Sequence, residues 1–231
     1  MKILYANGDS WTHGDEIPQT TPAMMQCKMD RYYGSWPWYL AQKLDAMCLN
    51  EAGGAGSNAR IFRKTADYIL NYMGQKRDPK LLTVIIGWTT QSRTEISHKS
   101  SYFKVTPNGV YGNFSIPDAD KELLHEYQRT YLEVHDPELS LEEHVRYMLV
   151  LRAMCENFGI EYHDFVAIGN HPAELESLAE KKFNLKLSNL VNGFTWNQYV
   201  VECNHSVYEH KHPTTETHEK WANFLFSRIT M

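Results

Sequence analysis

Cysteine is scarce in this chain. Its 231 residues hold only Cys27, Cys48, Cys155 and Cys203, widely spaced and with no Cys-x-x-Cys pair. That usage excludes a zinc knuckle and a dithiol redox motif, and fits reduced, mostly buried thiols. Long apolar runs are missing too. No stretch approaches the roughly 18 apolar residues of a membrane helix. The start turns polar at Asn7, short of the about 7–15 apolar residues of an export signal, so the cytoplasm is the expected location. Basic charge is in deficit, with 23 Lys and Arg against 28 Asp and Glu, a net charge of −5. Nucleic acid and anionic membranes both call for clustered Lys and Arg, so neither is expected as a partner. Internal repeats, low-complexity tracts and flexible linkers are also lacking, which leaves residues 1–231 as one domain.

What the chain has in excess is flat, semi-polar surface: 14 Tyr, 9 Phe and 6 Trp beside 11 His. A chain of this length buries roughly 70% of its unfolded surface and needs no disulfide or metal staple. Short apolar runs at Lys2–Ala6, Leu81–Gly87 and Ile160–Ile168, with a fourth at Met47–Asn50, lack the alternation of half-exposed strands. They predict strands covered on both faces, as in a parallel sheet. Helical spacing lies between them. One helix follows Ser35 and Pro37, a second runs from Asn58 to Gly74, a third starts at a capping box, Ser140 to Glu143, and ends at Gly159, and a fourth follows His212-Pro213. The alternation predicts an α/β fold with right-handed crossovers. Two stretches break it, about 93–136 and 171–208, and are expected as insertions over the carboxyl edge of the sheet, where such folds bind ligands.

Four segments carry residues suited to chemistry. Gly8-Asp9-Ser10 directly follows the first strand. A serine on such a turn is held at the sheet edge with its hydroxyl presented as a nucleophile; the three residues also make an ordinary turn. Near the far end, Glu209 precedes His212-Pro213-Thr214. Glu209 can turn back to hold one imidazole nitrogen of His212 while the other faces the serine, the logic of an acid–base–nucleophile triad. His205, His210, His212 and His218 gather here, but His210, His212 and His218 lack helical i, i+4 pairing, and no metal is expected. A metal-dependent phosphoesterase using Asp9, Asp15, His13 and these histidines is a further alternative. The third segment, Asn50 to Asn58, offers glycine amides at a helix start, as a phosphate cradle or an oxyanion hole. It lacks the Lys-Ser/Thr ending and the glycine spacing of the phosphate loops, which favours the oxyanion hole. The fourth, Gly87-Trp88-Thr89 with Arg93, supplies donors after the strand at 81–87. Arg93 suits an anionic substrate group or a salt bridge.

In this order and placement the four segments resemble the blocks of the SGNH or GDSL hydrolases over nearly the whole chain. The resemblance implies a flavodoxin-like three-layer αβα sandwich with a mainly parallel central sheet. It implies Ser10 as nucleophile, His212 as base and Glu209 as acid, with an oxyanion hole from Ser10, Gly56 (or Gly54) and Thr89. Asp9, Trp11, Asn58, Trp88 and Arg93 are the expected substrate contacts. Two departures stand out: the family's Gly-x-Asn block reads Gly87-Trp88-Thr89, and its usual aspartate is Glu209. The expected activity is hydrolysis of a small-molecule ester, a short acyl group such as acetyl on a sugar, with no cofactor. Aromatics of the 93–136 stretch would stack on the sugar. A binding module whose catalysis went with the missing asparagine is the rival.

Overall fold

The computed structural model describes residues 1–17, 33–98, 101–111, 118–187, 193–209 and 211–230. Cys27, Phe114 and His210 lie outside them. The chain runs β1 (Lys2–Asn7), α1 (Ser10–His13), α2 (Trp36–Lys43), β2 (Ala46–Asn50), α3 (Asn58–Gly74) and β3 (Leu82–Trp88). A small antiparallel sheet follows, made of β4 (Thr94–His98), β5 (Ser101–Thr106) and β6 (Gly109–Tyr111). Then come α4 (Asp118–Val134), α5 (Pro137–Phe158), β7 (Glu161–Val166), α6 (Pro172–Phe183), α7 (Trp196–Glu202) and α8 (Thr215–Ile229).

The main sheet has the order β2-β1-β3-β7, and every neighbouring pair is parallel. The unbroken apolar runs have a physical reason. On β1, Ile3 and Tyr5 face one core and Leu4 and Ala6 the other. Helices α3 and α5 pack together on the first face; α2 and α8 pack together on the second. The result is a three-layer αβα sandwich. All four strands point the same way, so their following loops share one edge.

The helix at 137 starts earlier than its sequence suggests. Asp136 caps it, accepting from Glu138 N and Leu139 N, and Pro137 occupies the first turn. Pro137 has no N–H to leave unpaired and its backbone is preset for a helix, so this start overrides the box at Ser140. The aromatic excess goes mostly inward. Trp36, Trp88, Trp196 and Trp221 are fully buried, and three of them surround Phe165. Trp196 opens α7, so the 171–208 stretch does not simply overhang the edge: its α7 end helps build the core.

His218 is also a core residue. Its Nδ1 accepts the Trp36 N–H at 3.1 Å, which satisfies an otherwise orphaned donor at the start of α2. Burial pushes its pKa down to about 3, with the charge of His212 adding to the effect. Burial alone does the same to His144. An unfolded histidine titrates near 6.5. The unfolded chain therefore takes up protons that the fold cannot accept, and stability complete above about pH 6.5 is lost as pH falls towards 3. The melting midpoint should be flat above pH 7 and drop between pH 6.5 and 4. His144→Phe should make that drop shallower; a midpoint unchanged across the interval contradicts this account.

Candidate functional site

The loops leaving β1, β2 and β3 meet at the carboxyl edge. Gly8 is required there by space. A Cβ on it would lie 2.3 Å from Thr12 Oγ1 and 2.9 Å from the Gly87 carbonyl oxygen. Asp9 then caps α1, its Oδ1 accepting from Trp11 N at 3.1 Å. Ser10 is the first residue of that turn of helix and is 8% exposed, at the rim of the packed edge. The glycine loop after β2 is knitted to this turn: Glu51 N donates to Ala6 O at 2.8 Å and Gly53 N to Gly8 O at 3.2 Å. A Cβ on Gly56 would lie 2.9 Å from Gly53 O and 3.0 Å from Gly8 O, so only glycine lets the loop approach this closely.

Two of the expected oxyanion donors are already engaged. The Gly56 N–H donates to Gly53 O at 2.9 Å, closing a turn. Thr89 is held at both ends: its N–H donates to Asn58 Oδ1 at 2.9 Å and its hydroxyl to Asp9 Oδ2 at 2.8 Å. Neither has a proton left for an oxyanion, which corrects both assignments. Of the two candidate glycines, Gly54 is the one whose N–H makes no hydrogen bond among the described residues.

The substrate contacts expected from the sequence are corrected in the same way. Asp9 is fully buried and its carboxylate serves Trp11, Thr89 and Arg93. Asn58 spends its amide on the Thr89 backbone. Trp11 packs edge-on to Trp196, and Trp88 is buried with its indole N–H on Asp164. These four build the floor under the site. Arg93 alone of the five keeps an open side, with its Nη1 3.2 Å from Asp9 Oδ2 and 3.5 Å from Gly56 O.

The last block arrives on a hairpin. Tyr208 N donates to His212 O, Lys211 N donates to Tyr208 O, and Val207 bridges to Pro213. Thr214 caps α8, as its position predicts. This hairpin puts Glu209 at its exposed tip and His212 at its base. The carboxylate facing His212 is Glu16, with Oε2 3.2 Å from Nδ1. Glu209, the acid expected from the spacing, is exposed at the hairpin tip and makes no hydrogen bond or ion pair with His212 among the described residues. Glu16 sits in the left-handed region at φ 71°, a backbone state that costs a residue with a Cβ about 1–2 kcal/mol. The only sequence signal for Glu16 was its place just after the serine turn.

No hydrogen bond joins Ser10 Oγ to His212 among the described residues. Beside Ser10, His13 pairs through Nδ1 with Asp15, and Asp15 Oδ2 would lie 2.6 Å from a Cβ on Gly54. The small sheet covers this loop, with Lys104 Nζ donating to Gly54 O at 2.7 Å and Arg63 gripping Glu95 through two nitrogens. No group of three or more His, Cys, Asp and Glu is disposed to hold a metal among the described residues. Cys48 and Cys155 are no rival nucleophiles, because burial pushes both thiols up to about 12. Among the described residues no helix is long and apolar enough to cross a membrane.

Comparison with known proteins gives the fold a context. The crystal structure of TesA superposes with a TM-score of 0.51 at 10% identity, covering 99% of this chain and 98% of that one. The psychrotrophic esterase EstA from Pseudoalteromonas sp., inhibited by monoethylphosphonate, gives 0.50 at 10% identity, with 100% and 97% covered. A member of the lipolytic protein G-D-S-L family from Veillonella parvula gives 0.44 at 10%, with 100% and 97% covered. The likeness to TesA and EstA is one of fold, the three-layer α/β arrangement with a parallel central sheet. No curated protein matches in sequence. The model of a family of unknown function, DUF6071, matches residues 15–229.

Proposed function

We propose that this chain, which belongs to the DUF6071 family, is a serine-dependent hydrolase of short-chain, acetyl-type esters carried on a carbohydrate. One observation carries the reading: a carboxylate oxygen of Glu16, from the loop that follows Ser10, lies 3.2 Å from Nδ1 of His212, close enough to become its hydrogen-bond acceptor once the ring turns to it. A carboxylate on Nδ1 favours the tautomer whose Nε2 is the base. Ser10 Oγ attacks the ester carbonyl while Nε2 takes its proton, and Nε2 then returns that proton to the leaving alcohol. Glu16 orients the ring and offsets the charge of the imidazolium. Water repeats the sequence on the acyl-enzyme and regenerates Ser10. The N–H groups of Ser10 and Gly54 meet the oxyanion. No cofactor is needed. Ser10 and His212 close to hydrogen-bond distance with substrate in place, since such contacts are often long without it.

The carbohydrate part rests on the small sheet. Lys104 pairs in register with Tyr111, and Tyr102 lies two residues along the same strand, so the three share the face that reaches the glycine loop. Tyr102 carries Arg63 over its ring at 3.8 Å, and both tyrosines are exposed. Exposed rings suit the apolar face of a sugar.

The experiment is stopped-flow hydrolysis of p-nitrophenyl acetate. A burst of p-nitrophenol equal to the enzyme concentration, followed by slower turnover, is expected of an acyl-enzyme. Absence of both burst and turnover refutes the reading. A second reading, a binding protein for a carbohydrate or nucleotide on the same scaffold, draws on the engaged state of Gly56 and Thr89. It requires saturable binding with no turnover at all.

A further inference from the structure

The fold lacks the asparagine that the Gly-x-Asn block would contribute, and Thr89 in its place donates inward to Asp9. Arg93 stands beside that vacancy of function. Its Nη1 touches Asp9, the residue before the nucleophile, and the carbonyl of Gly56 in the glycine loop. Only that nitrogen is used. Among the described residues its Nε and Nη2 make no hydrogen bond, although the side chain is just 19% exposed. A guanidinium anchored by one arm therefore presents its Nε–Nη2 edge, two parallel N–H donors in a fixed plane, at the junction of the serine turn and the glycine loop.

We infer that Arg93 is the third oxyanion donor of this enzyme, in place of the absent asparagine. The inference rests on the esterase reading above and names one more group that touches the reacting atoms. The electrostatics support it. At rest Asp9 and Arg93 neutralise each other, and Asp9, fully buried and fixed by Trp11 and Thr89, holds the guanidinium still. When the carbonyl oxygen takes up negative charge, the unused edge meets it without reorganising, in a site partly shielded from water. The ground-state carbonyl gains less from the cation, so the effect falls on the transition state.

The test compares wild type with Arg93→Gln and Arg93→Lys on p-nitrophenyl acetate, a neutral ester, with Ser10→Ala as reference. Arg93→Gln should lower kcat by about 10²–10³-fold, the usual cost of one oxyanion donor, with KM changed only a few-fold. Arg93→Lys keeps the charge opposite Asp9 and so guards against misfolding; it should recover part of kcat. The rate at which a fluorophosphonate labels Ser10 should fall in parallel, because its phosphoryl oxygen takes the oxyanion position. Added guanidinium ion should raise kcat of a folded Arg93→Ala protein. Unchanged kcat and labelling in Arg93→Gln overturn the inference and leave the esterase reading intact. So does a loss confined to KM for an ester bearing a carboxylate, which makes Arg93 a binder of anionic substrate. Failure of wild type to hydrolyse the ester and to be labelled overturns both.

Discussion

Ser10→Ala lowers kcat for a short activated ester by at least about 10⁴-fold, the scale on which loss of a triad serine acts. The remainder comes from the oxyanion donors and from binding, which persist without the nucleophile. The substitution is a clean probe because the fold barely uses the side chain. Asp9, not Ser10, supplies the cap of α1, and Ser10 lies at the rim of the packed edge. Ser10 is buried, but its hydroxyl makes no hydrogen bond among the described residues, so removing it should cost no more than about 1 kcal/mol of stability. Loss of activity with an unchanged melting midpoint is therefore the expected pair of results. Equal hydrolysis by the two proteins excludes Ser10 as nucleophile.

Glu16→Gln should cost kcat about 10³–10⁴-fold, comparable to removing the charge that orients a triad histidine. The amide keeps the size of the side chain but loses the charge that stabilises the imidazolium and the acceptor that fixes its tautomer. Glu209→Gln should change kcat less than two-fold, since Glu209 projects from the hairpin tip. The two variants thus separate an acid chosen by spacing from an acid chosen by geometry. A large loss at Glu209 with none at Glu16 returns the role to the residue three before the histidine.

The framework was legible in the sequence for a simple reason. Strands buried on both faces must be apolar throughout, and β1, β2, β3 and β7 all lie within a residue or two of the runs that announce them. The helix at 58–74 could be read to its ends. The serine turn, the glycine loop and the His212 loop were found because each follows a strand or opens a helix, which is a local property. What escaped was pairing at a distance. Glu16 and His212 come from opposite ends of the chain, and no spacing rule joins them. The polarity of each contact also escaped. Thr89, Asn58 and Asp9 are the right residue types in the right loops, yet they satisfy one another, because buried polar groups at a sheet edge must be paired before any substrate arrives. Trp11 and Trp88 are expected as substrate contacts because the sequence does not say which way they face; both point into the floor. The histidine cluster divides likewise, with His218 spent on the N-terminus of α2 and His212 half-buried beside Glu16.

The most direct measurement is the intact mass of the wild-type protein after treatment with a fluorophosphonate, followed by mapping of the modified peptide. An activated serine predicts a single adduct, on Ser10, and none in the Ser10→Ala protein. No adduct, or one on any other residue with Ser10 untouched, contradicts the account.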